Sequence, residues 1–386
     1  MNKVLLPEKS IISSKDFLKI TKEKFYQATE KEAKPSRCWF SLTDFCNLNC
    51  KYCFANARHS SEPKKNIKNE LTTEEVLDVL NNIADAGMQS IMFAGGEPTL
   101  RKDLPEIIYH ASLFMRDVAI NTNGFFLDEY LLWELVDAGL NQIKVSIDGL
   151  QNCHDWNRGE GSYEKALQTV INAKKLGIPN VILIMTLSNK NYDDLPKLLK
   201  LTIDLGVDFT MVEFLPMGRA TDKKDWCLTR EQRKEIQRYL FNAQKTYGWE
   251  KIAFENRYII AEDEYCKKVC ADPSRPCGFF DFSVGCISGI YSYCITPQGK
   301  VVAGDVMTLE VGDLKREKMS NIWKNADLFK LLRNRENLKG KCGNCIYKYV
   351  CGGCRRSAYT FTKDIMGPDP NCWVNPKVCS GEIVPF

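Results

Sequence analysis

The chain has 386 residues, of which 44% are hydrophobic and 26% are charged. This composition is that of an ordinary globular protein, and the length suits one barrel-sized core with a further, smaller unit. The net charge of +4 comes from 53 basic and 49 acidic residues, so the sequence offers no basic surface for nucleic acid. No apolar run is long enough for a bilayer, and residues 1–10 lack the apolar core of a secretory signal. We therefore expect a cytoplasmic protein that binds neither nucleic acid nor a membrane.

Cysteine is the exception to this ordinary composition. The chain has 17 cysteines, and a reducing cytoplasm argues against disulfides and for metal or redox chemistry. The cysteines are also clustered, with three in residues 46–53, five in 266–294 and six in 342–379. The sequence therefore predicts metal or redox chemistry at more than one place.

The first predicted element is an amphipathic helix over residues 15–31, and we expect its Phe17, Ile20 and Phe25 to dock on the barrel. From residue 37 onward, short apolar runs alternate with helical segments, which is typical of a parallel sheet covered by helices. The six predicted strands are 38–42, 90–93, 118–121, 142–147, 181–187 and 208–214. Six strand-helix units are fewer than the eight of a closed barrel, so we expect an α/β fold with a partial barrel.

Several helix starts are visible between these strands. Thr72 with Glu75 forms a capping-box pattern, and Asp103 and Ser162 are candidate caps. A long helix is predicted over 229–247, followed by a hairpin with its turn at residues 297–299. We predict four segments, which are an N-terminal extension (1–36), a core domain (37–225), a helical linker (226–276) and a cysteine-rich domain (277–386).

Cys46, Cys50 and Cys53 follow directly on the first predicted strand, where a tight loop can direct three thiolates at one point. Structural zinc and a four-iron cluster each take four ligands, so three thiolates indicate a four-iron cluster with one iron open to a substrate. The alternatives are a zinc site that borrows a distant ligand and three unrelated cysteines. Other glycine-rich and polar segments also fall at predicted strand ends, where ligands bind in such folds.

This Cys-x3-Cys-x2-Cys pattern, with Tyr52 before its last cysteine, resembles the signature of the radical S-adenosylmethionine (radical SAM) superfamily. Gly95, Gly96 and Glu97 resemble the family's Gly-Gly-Glu-Pro motif, in which glycines let the backbone approach the ligand and the glutamate accepts from the methionine ammonium group. The resemblance implies further cofactor-binding positions: Asn123 at the end of the third strand, Ser146 and Asp148 near the ribose, and Arg158 at the methionine carboxylate. Each segment alone could be a plain turn or a surface charge. Together they cover roughly residues 38 to 215 in the family's order.

The resemblance implies an enzyme with a 4Fe-4S cluster held by the catalytic cysteines of this loop. Such an enzyme cleaves S-adenosylmethionine reductively to a 5'-deoxyadenosyl radical, which takes a hydrogen atom from the substrate. The protein must exclude water and hold the target hydrogen close. The resemblance also implies an electron donor of the flavodoxin or ferredoxin type.

A second motif, Cys-x2-Cys-x5-Cys-x2-Cys, occupies residues 342–354 and is followed by Cys372. Alone, it would suit a zinc ribbon, but behind such a core it resembles the SPASM extension, which carries one or two auxiliary iron-sulfur clusters. The resemblance assigns four cysteines to a distal cluster, namely Cys342, Cys345, Cys351 and Cys372. It assigns Cys354 and Cys286 to a nearer cluster.

One position departs from the family pattern, because Gly304 stands where the family places a cysteine. Cys294, across the predicted hairpin, could substitute and leave one iron of the nearer cluster open, and a missing cluster is the alternative. Cys266, Cys270 and Cys277 could supply further ligands or could be ordinary buried thiols.

The substrate is left open by these motifs. The SPASM subgroup is best known for modifying ribosomally made peptides and protein side chains, and a smaller branch acts on tetrapyrroles, including oxidative decarboxylation of iron coproporphyrin. Residues 285–295 and 352–355 look much like that branch too. We predict peptide or protein modification, with tetrapyrrole modification and a non-catalytic iron-sulfur or zinc protein as alternatives. Peptide modification would require a separate recognition protein or direct leader binding, because little sequence precedes Cys38.

Overall fold

Helices and strands alternate along the chain, as expected. The computed structural model describes residues 13–31, 34–62, 70–254, 258–263, 266, 270, 285–304 and 307–375. The strands are β1 (Arg37–Ser41), β2 (Phe45–Cys46), β3 (Arg58–His59), β4 (Ser90–Ala94), β5 (Asp117–Thr122), β6 (Gln142–Ser146), β7 (Asn180–Leu187), β8 (Asp208–Glu213), β9 (Ile252–Ala253), β10 (Ser292–Ile295), β11 (Lys300–Gly304) and β12 (Met307–Asp313). The helices are α1 (Ser14–Tyr26), α2 (Thr73–Asp85), α3 (Leu104–Ser112), α4 (Glu129–Asp137), α5 (Gln151–Arg158), α6 (Ser162–Lys175), α7 (Leu195–Leu205), α8 (Arg230–Tyr247), α9 (Met319–Asn325), α10 (Asp327–Arg333), α11 (Gly340–Gly343) and α12 (Arg355–Thr362). Among the helices of these described ranges, none is long and apolar enough to cross a membrane.

The main sheet has ten strands in the order β12-β11-β10-β1-β4-β5-β6-β7-β8-β9. Its centre is the run of six parallel strands from β1 to β8, and each of the six predicted strands is present with ends shifted by at most one residue. The connections between these strands are helical, which confirms the α/β fold with a partial barrel.

The core lies between this sheet and its helices. On β6, Ile143 and Val145 are fully buried and belong to the main apolar cluster, whereas Gln142 and Lys144 are only partly buried. Because side chains alternate across a strand, Lys144 lies on the opposite, inner face of the barrel. The same alternation buries Phe40 of β1 on the helix side.

The C-terminal hairpin extends the same sheet. Strand β10 pairs in parallel with β1, with Trp39 opposite Cys294, and in antiparallel with β11. The turn between β10 and β11 contains Gly299, whose φ of +80° favours glycine. The division of the chain into four segments stays a prediction, and its last boundary, at residues 276–277, falls outside the described residues.

Helix α1 docks mainly on the C-terminal segment, and Phe17 also shares an apolar cluster with Phe241 of α8, so the prediction that α1 docks on the barrel holds only in part. Phe17 packs edge-on against Tyr347, with ring centroids 5.5 Å apart, and Phe25 lies 6.0 Å from Tyr349. Both tyrosines belong to the cysteine-rich C-terminal segment. The helix docks there because that segment presents aromatic rings that need an apolar cover.

Candidate active site

The loop with the first cysteine motif leaves the C-terminal end of β1. Cys46, Cys50 and Cys53 share one small apolar cluster with Leu48 and Ala57. The backbone N–H of Leu48 donates to the Cys46 sulfur at 3.4 Å, and that of Ala57 donates to the Cys53 sulfur at 3.5 Å. The structure therefore brings the three cysteines together and directs backbone dipoles at two of their sulfurs.

The two glycines of the Gly-Gly-Glu-Pro segment hold this loop by backbone contact. The N–H groups of Gly96 and Glu97 each donate at 2.7 Å, to the carbonyls of Thr43 and Phe45. A Cβ on Gly96 would lie 1.9 Å from the Phe45 oxygen, and Gly95 has a φ of +144°. We expected these glycines to let the backbone approach the ligand closely. In the structure, they let the backbone of β4 approach the backbone of the cluster loop.

Glu97 is buried at the end of β4 and joins it to the end of β5. Its carboxylate accepts from the hydroxyls of Thr122 at 2.7 Å and Thr99 at 2.8 Å, and from the backbone N–H of Asn123 at 2.8 Å. Burial raises the pKa of Glu97, and these donors partly offset that effect. Its contact with an ammonium group stays a prediction.

Asn123 links β5 to the cluster loop. Its side-chain amide donates to the Asn47 side-chain oxygen at 2.9 Å and lies 3.6 Å from the Cys46 sulfur. The amide nitrogen of Asn47 is itself buried without a partner among the described residues. A polar group is therefore available beside the first cysteine.

The end of β6 carries the charged part of the site. Ser146 is the last residue of β6, and after it the carboxylate of Asp148 accepts from the Arg158 guanidinium and, at 2.8 Å, from the backbone N–H of Thr186. Burial alone would raise the pKa of Asp148, but the guanidinium and the hydrogen bonds hold it below its usual range. Arg158 also lies close enough to Cys50 for its charge to lower the pKa of that thiol, which burial raises. The structure thus groups Ser146, Asp148 and Arg158 beside the cluster loop, while the contact of Arg158 with a methionine carboxylate stays a prediction.

Tyr52 anchors the loop on the other side. Its side chain is buried, its hydroxyl donates to the Thr186 carbonyl at 3.3 Å, and its ring lies 5.9 Å from that of Phe214. Phe214 in turn packs on Trp226 at 6.1 Å. This aromatic contact explains why a ring stands before the third cysteine.

Sequence reasoning missed the segment that closes over the loop after β8. The Arg219 side chain donates to the Cys50 carbonyl at 2.7 Å and to the Ala57 carbonyl, and its backbone N–H donates to the Cys53 carbonyl at 3.0 Å. A Cβ on Gly218 would lie 2.4 Å from that last oxygen. A Gly-Arg pair is too common in sequences to identify such a clamp.

His154 was also missed as part of the site. It is fully buried on α5, and its Nδ1 accepts from the backbone N–H of Asp148 at 3.1 Å. Burial, with the nearby Arg158 charge, lowers the pKa of His154 to about 4. The imidazole is therefore neutral near pH 7 and supports the turn that carries Asp148.

The C-terminal cysteines form a second site. A cavity of about 20 Å³ is lined by four cysteines, which are Cys342, Cys345, Cys351 and Cys372. Backbone N–H groups donate to three of the sulfurs, from Asp369 to Cys342 at 3.3 Å, from Tyr347 to Cys345 at 3.4 Å and from Gly353 to Cys351 at 3.4 Å. The structure therefore groups the four cysteines that the resemblance assigned to a distal cluster.

Cys354 and Cys286 lie outside this cavity lining. Cys354 caps α12, where its sulfur accepts from the backbone N–H of Ser357 at 3.4 Å, and its own N–H donates to Asp369 at 2.6 Å. Cys286 is buried, and its carbonyl accepts from Arg335 at 3.4 Å. Their ligation of a nearer cluster stays a prediction.

Cys294 is buried on the inner face of β10, opposite Val302 of β11. Gly304 follows Val302 by two residues, so Gly304 and Cys294 lie on the same face of the hairpin. This geometry keeps Cys294 as a candidate substitute for the cysteine missing at position 304. Cys266 and Cys270 are buried in an apolar cluster against which Cys345, Cys351 and Cys372 pack, and Cys277 lies outside the described residues.

Two buried arginines flank the second site. Arg355 donates to the carbonyls of Ile365 at 2.8 Å and Gly367 at 2.7 Å, and its other nitrogen lies 3.7 Å from the Cys342 sulfur. Burial lowers the pKa of Arg335 to about 10, which leaves it cationic at neutral pH. In the described part of the chain no group of three His, Cys, Asp or Glu side chains is arranged to hold a single metal ion. Four cysteines, with backbone amides and the Arg355 guanidinium directed at their sulfurs, fit an anionic iron-sulfur cluster.

Two family models match the chain, one in the part with the first cysteine motif and one in the C-terminal part. The family model of the radical SAM superfamily matches residues 40–202, and the model of the SPASM iron-sulfur cluster-binding domain matches residues 286–346. An AdoMet-dependent heme synthase from Methanosarcina barkeri is 32% identical over 87% of this chain and 96% of its own length. A PqqA peptide cyclase from Bradyrhizobium diazoefficiens is 28% identical over 92% of this chain and 90% of its own length.

The fold is similar to that of a solved structure with bound S-adenosylmethionine. The crystal structure of Streptococcus suis SuiB bound to S-adenosylmethionine superposes with a TM-score of 0.67 at 16% identity, over 89% of this chain and 78% of SuiB. The chain therefore belongs to the radical SAM superfamily, as an enzyme with a C-terminal SPASM domain whose cofactors are S-adenosylmethionine and iron-sulfur clusters.

Proposed function

We propose that this enzyme acts on a tetrapyrrole and oxidatively decarboxylates one of its carboxylate-bearing side chains. The sequence alone favoured a peptide substrate because that is the commoner use of the architecture. The similarity to a heme synthase over 96% of that relative's length now favours the tetrapyrrole alternative. The observation that carries the proposal is the inner face of the barrel.

That inner face combines apolar side chains, which their neighbours leave partly uncovered, with a few polar ones such as Lys144. Trp39 on β1, Ile182 and Ile184 on β7 and Val212 on β8 are all only partly buried, whereas the alternate residues of these strands pack into the main core. Concave sites with apolar walls and a few polar groups suit flat, largely apolar ligands. A tetrapyrrole macrocycle has this character, with its carboxylates as the polar exceptions.

The cysteines have the following roles in this proposal. Cys46, Cys50 and Cys53 hold the cluster that binds S-adenosylmethionine, and the cysteines of the C-terminal segment hold auxiliary clusters. When bound, these groups supply a 5'-deoxyadenosyl radical and a site for one electron. The chain's own contribution is to fix the cluster loop through Gly96 and Arg219 and to bury Glu97 and Asp148 away from water.

The electron count of the proposed reaction is balanced. Conversion of a propionate to a vinyl group releases carbon dioxide, one hydrogen atom and one electron. Reductive cleavage of S-adenosylmethionine consumes one electron, and the radical it yields accepts the hydrogen atom. An electron donor of the flavodoxin or ferredoxin type is needed to supply the electron for the first cleavage of S-adenosylmethionine. Oxidation of the substrate then releases one electron for each turnover.

A peptide substrate is the second candidate. It is supported by the 28% identity to a PqqA peptide cyclase over 90% of that relative's length. A peptide would occupy the same inner face and would require a recognition protein or direct leader binding. This candidate becomes the better one if the enzyme ignores tetrapyrroles.

The test is anaerobic turnover of reconstituted enzyme with iron coproporphyrin III, followed by mass spectrometry of the porphyrin and of 5'-deoxyadenosine. We expect the porphyrin to lose carbon dioxide and two hydrogens for each 5'-deoxyadenosine formed. A matched reaction with coproporphyrin tetramethyl ester should leave the porphyrin unchanged. The proposal would be contradicted if no tetrapyrrole accelerated the formation of 5'-deoxyadenosine and no tetrapyrrole product formed with it.

A further inference from the structure

Lys144 stands out on the inner face of the barrel. It is the middle residue of β6, paired with Asn121 of β5 and Ile182 of β7. Its neighbours in the strand, Ile143 and Val145, are fully buried on the helix side. The Lys144 side chain therefore projects into the same space as the apolar residues of the inner wall, two positions before Ser146.

Lys144 forms no hydrogen bond or ion pair with any other residue that the structure describes. The side-chain oxygen of its strand neighbour Asn121 is buried and also has no hydrogen-bond partner within the described ranges. Two polar side chains without hydrogen-bond partners in the described ranges thus occupy paired positions of neighbouring strands. Leaving a buried oxygen such as that of Asn121 unpaired costs free energy, whereas the partly buried lysine is open to a ligand.

The surroundings of Lys144 favour an anion. Burial, together with the positive charge of Arg37 on the inner face of β1, lowers the pKa of Lys144 to about 8, although the Asp117 carboxylate on β5 offsets part of the Arg37 charge. The amine remains largely cationic at neutral pH. A carboxylate placed here would pair with the lysine ammonium group and would accept a hydrogen bond from the Asn121 side-chain NH2 group, while the Asn121 oxygen could accept one from the same ammonium group.

We propose that Lys144 and Asn121 form a binding site for one carboxylate group of the substrate inside the barrel. The identity of the substrate as a tetrapyrrole rests on the proposed function, whereas the carboxylate site rests on the side chains just described. Because Lys144 is two residues from the end of β6 where Ser146 and Asp148 stand, a side chain held by Lys144 lies beside the predicted cofactor positions. The site would therefore select the carboxylate-bearing side chain and orient it.

The first experiment measures binding of iron coproporphyrin III to anaerobically reconstituted enzyme by absorbance titration. We expect Lys144→Met to weaken binding by about tenfold or more, as for loss of one partner of a buried charged hydrogen bond. Lys144→Arg, which keeps the charge, should weaken binding less. Lys165→Met on the exposed face of α6 is the matched control and should bind as the wild type does. Iron content and S-adenosylmethionine binding should be the same in all variants.

The second experiment follows acetylation of Lys144 by N-hydroxysuccinimide acetate with mass spectrometry of peptides. Iron coproporphyrin III and millimolar propionate should each protect Lys144, whereas coproporphyrin tetramethyl ester and S-adenosylmethionine alone should not. Protection by S-adenosylmethionine alone would overturn the inference, because Lys144 would then bind the cofactor.

The two proposals fail in different ways. If the porphyrin binds equally well to wild type and Lys144→Met and leaves the labelling unchanged, the carboxylate site is wrong and the tetrapyrrole proposal survives. If the porphyrin does not bind at all, the tetrapyrrole proposal is wrong, and the labelling experiment with propionate then tests the carboxylate site by itself. Protection by propionate would support the carboxylate site for another substrate, and no protection would reject it.

Discussion

The two cysteine-rich regions of this enzyme use buried charge in opposite ways. In the first, the Arg158 guanidinium is paired with the buried carboxylate of Asp148. In the second, Arg355 donates to two backbone carbonyls and approaches the Cys342 sulfur. The first region therefore keeps its own charges balanced around a place that a charged ligand must enter, whereas the second directs positive charge at its sulfurs. Positive charge near a cluster stabilises the reduced, more negative state.

The two regions also differ in how they are held. The first is a loop fixed by close backbone contacts at Gly96 and by the Arg219 clamp. The second is a cavity walled by its own cysteines and supported by Asp369. This difference implies that single changes of backbone shape should affect the first region, and single changes of charge the second.

The largest expected effect comes from Gly96→Ala. Because the added Cβ would lie 1.9 Å from the Phe45 oxygen, the cluster loop must move, and we expect cleavage of S-adenosylmethionine to fall at least about a hundredfold, equivalent to roughly 3 kcal/mol. The measurement is 5'-deoxyadenosine formation with dithionite as reductant. The control is Gly177→Ala, whose added Cβ meets no atom within 4 Å; its φ of +75° makes the variant somewhat less stable but leaves the cluster loop in place. Equal activity of the two variants would contradict the backbone-contact account.

A smaller effect is expected from mild acid, and it should appear in the first region alone. His154 has a pKa of about 4 in the folded chain and an ordinary value near 6.5 when unfolded. The unfolded state therefore takes up a proton first, so stability that is present above pH 6.5 is lost as the pH falls toward 4. At pH 5 the loss is about 2 kcal/mol.

Hydrogen-deuterium exchange at pH 7 and pH 5 measures this loss by region. After correction for the intrinsic pH dependence of exchange, α5 should become less protected at pH 5, while α12, which has no histidine, should not. His154→Gln should remove most of the pH dependence of α5. An equal change in both helices would show that the acid effect has another origin.

The smallest expected effect is on the reduction potential of the second region. Replacing Arg355 by Met removes a positive charge whose nearest nitrogen lies 3.7 Å from the Cys342 sulfur. We expect the midpoint potential of the distal centre to fall by about 50 mV, close to a tenfold change for one electron. Arg355→Lys should restore part of the difference, and the first centre should not change. A potential that stays the same in Arg355→Met, with the distal centre intact, would contradict the charge argument.

Much of this architecture could be predicted from the sequence because it depends on local patterns. Apolar alternation located each of the six central strands to within one residue, and the spacing of Cys46, Cys50 and Cys53 identified the family. The capping box at Thr72 is also present. These features depend on residues that are neighbours in the chain.

Features that depend on distant partners were not predictable in this way. Asp103 binds Arg101 and Thr73 instead of capping α3, and Ser162 binds Asp155 instead of capping α6. Arg219 is far along the sequence from the cysteines whose loop it holds in place. Lys144 could not be identified as a site residue from the sequence, because a single lysine in a short strand is typical of a position that faces solvent.

The measurement that tests this account most directly is iron and sulfide content, with electron paramagnetic resonance, on anaerobically reconstituted protein. Wild type would be compared with a variant in which Cys46, Cys50 and Cys53 are all Ala, and with one in which Cys342 and Cys351 are Ala. The account predicts about eight or more irons in the wild type and a loss of about four in each variant, with the remaining signal intact. Four irons in the wild type and none in the first variant, or zinc bound by the C-terminal cysteines, would contradict it.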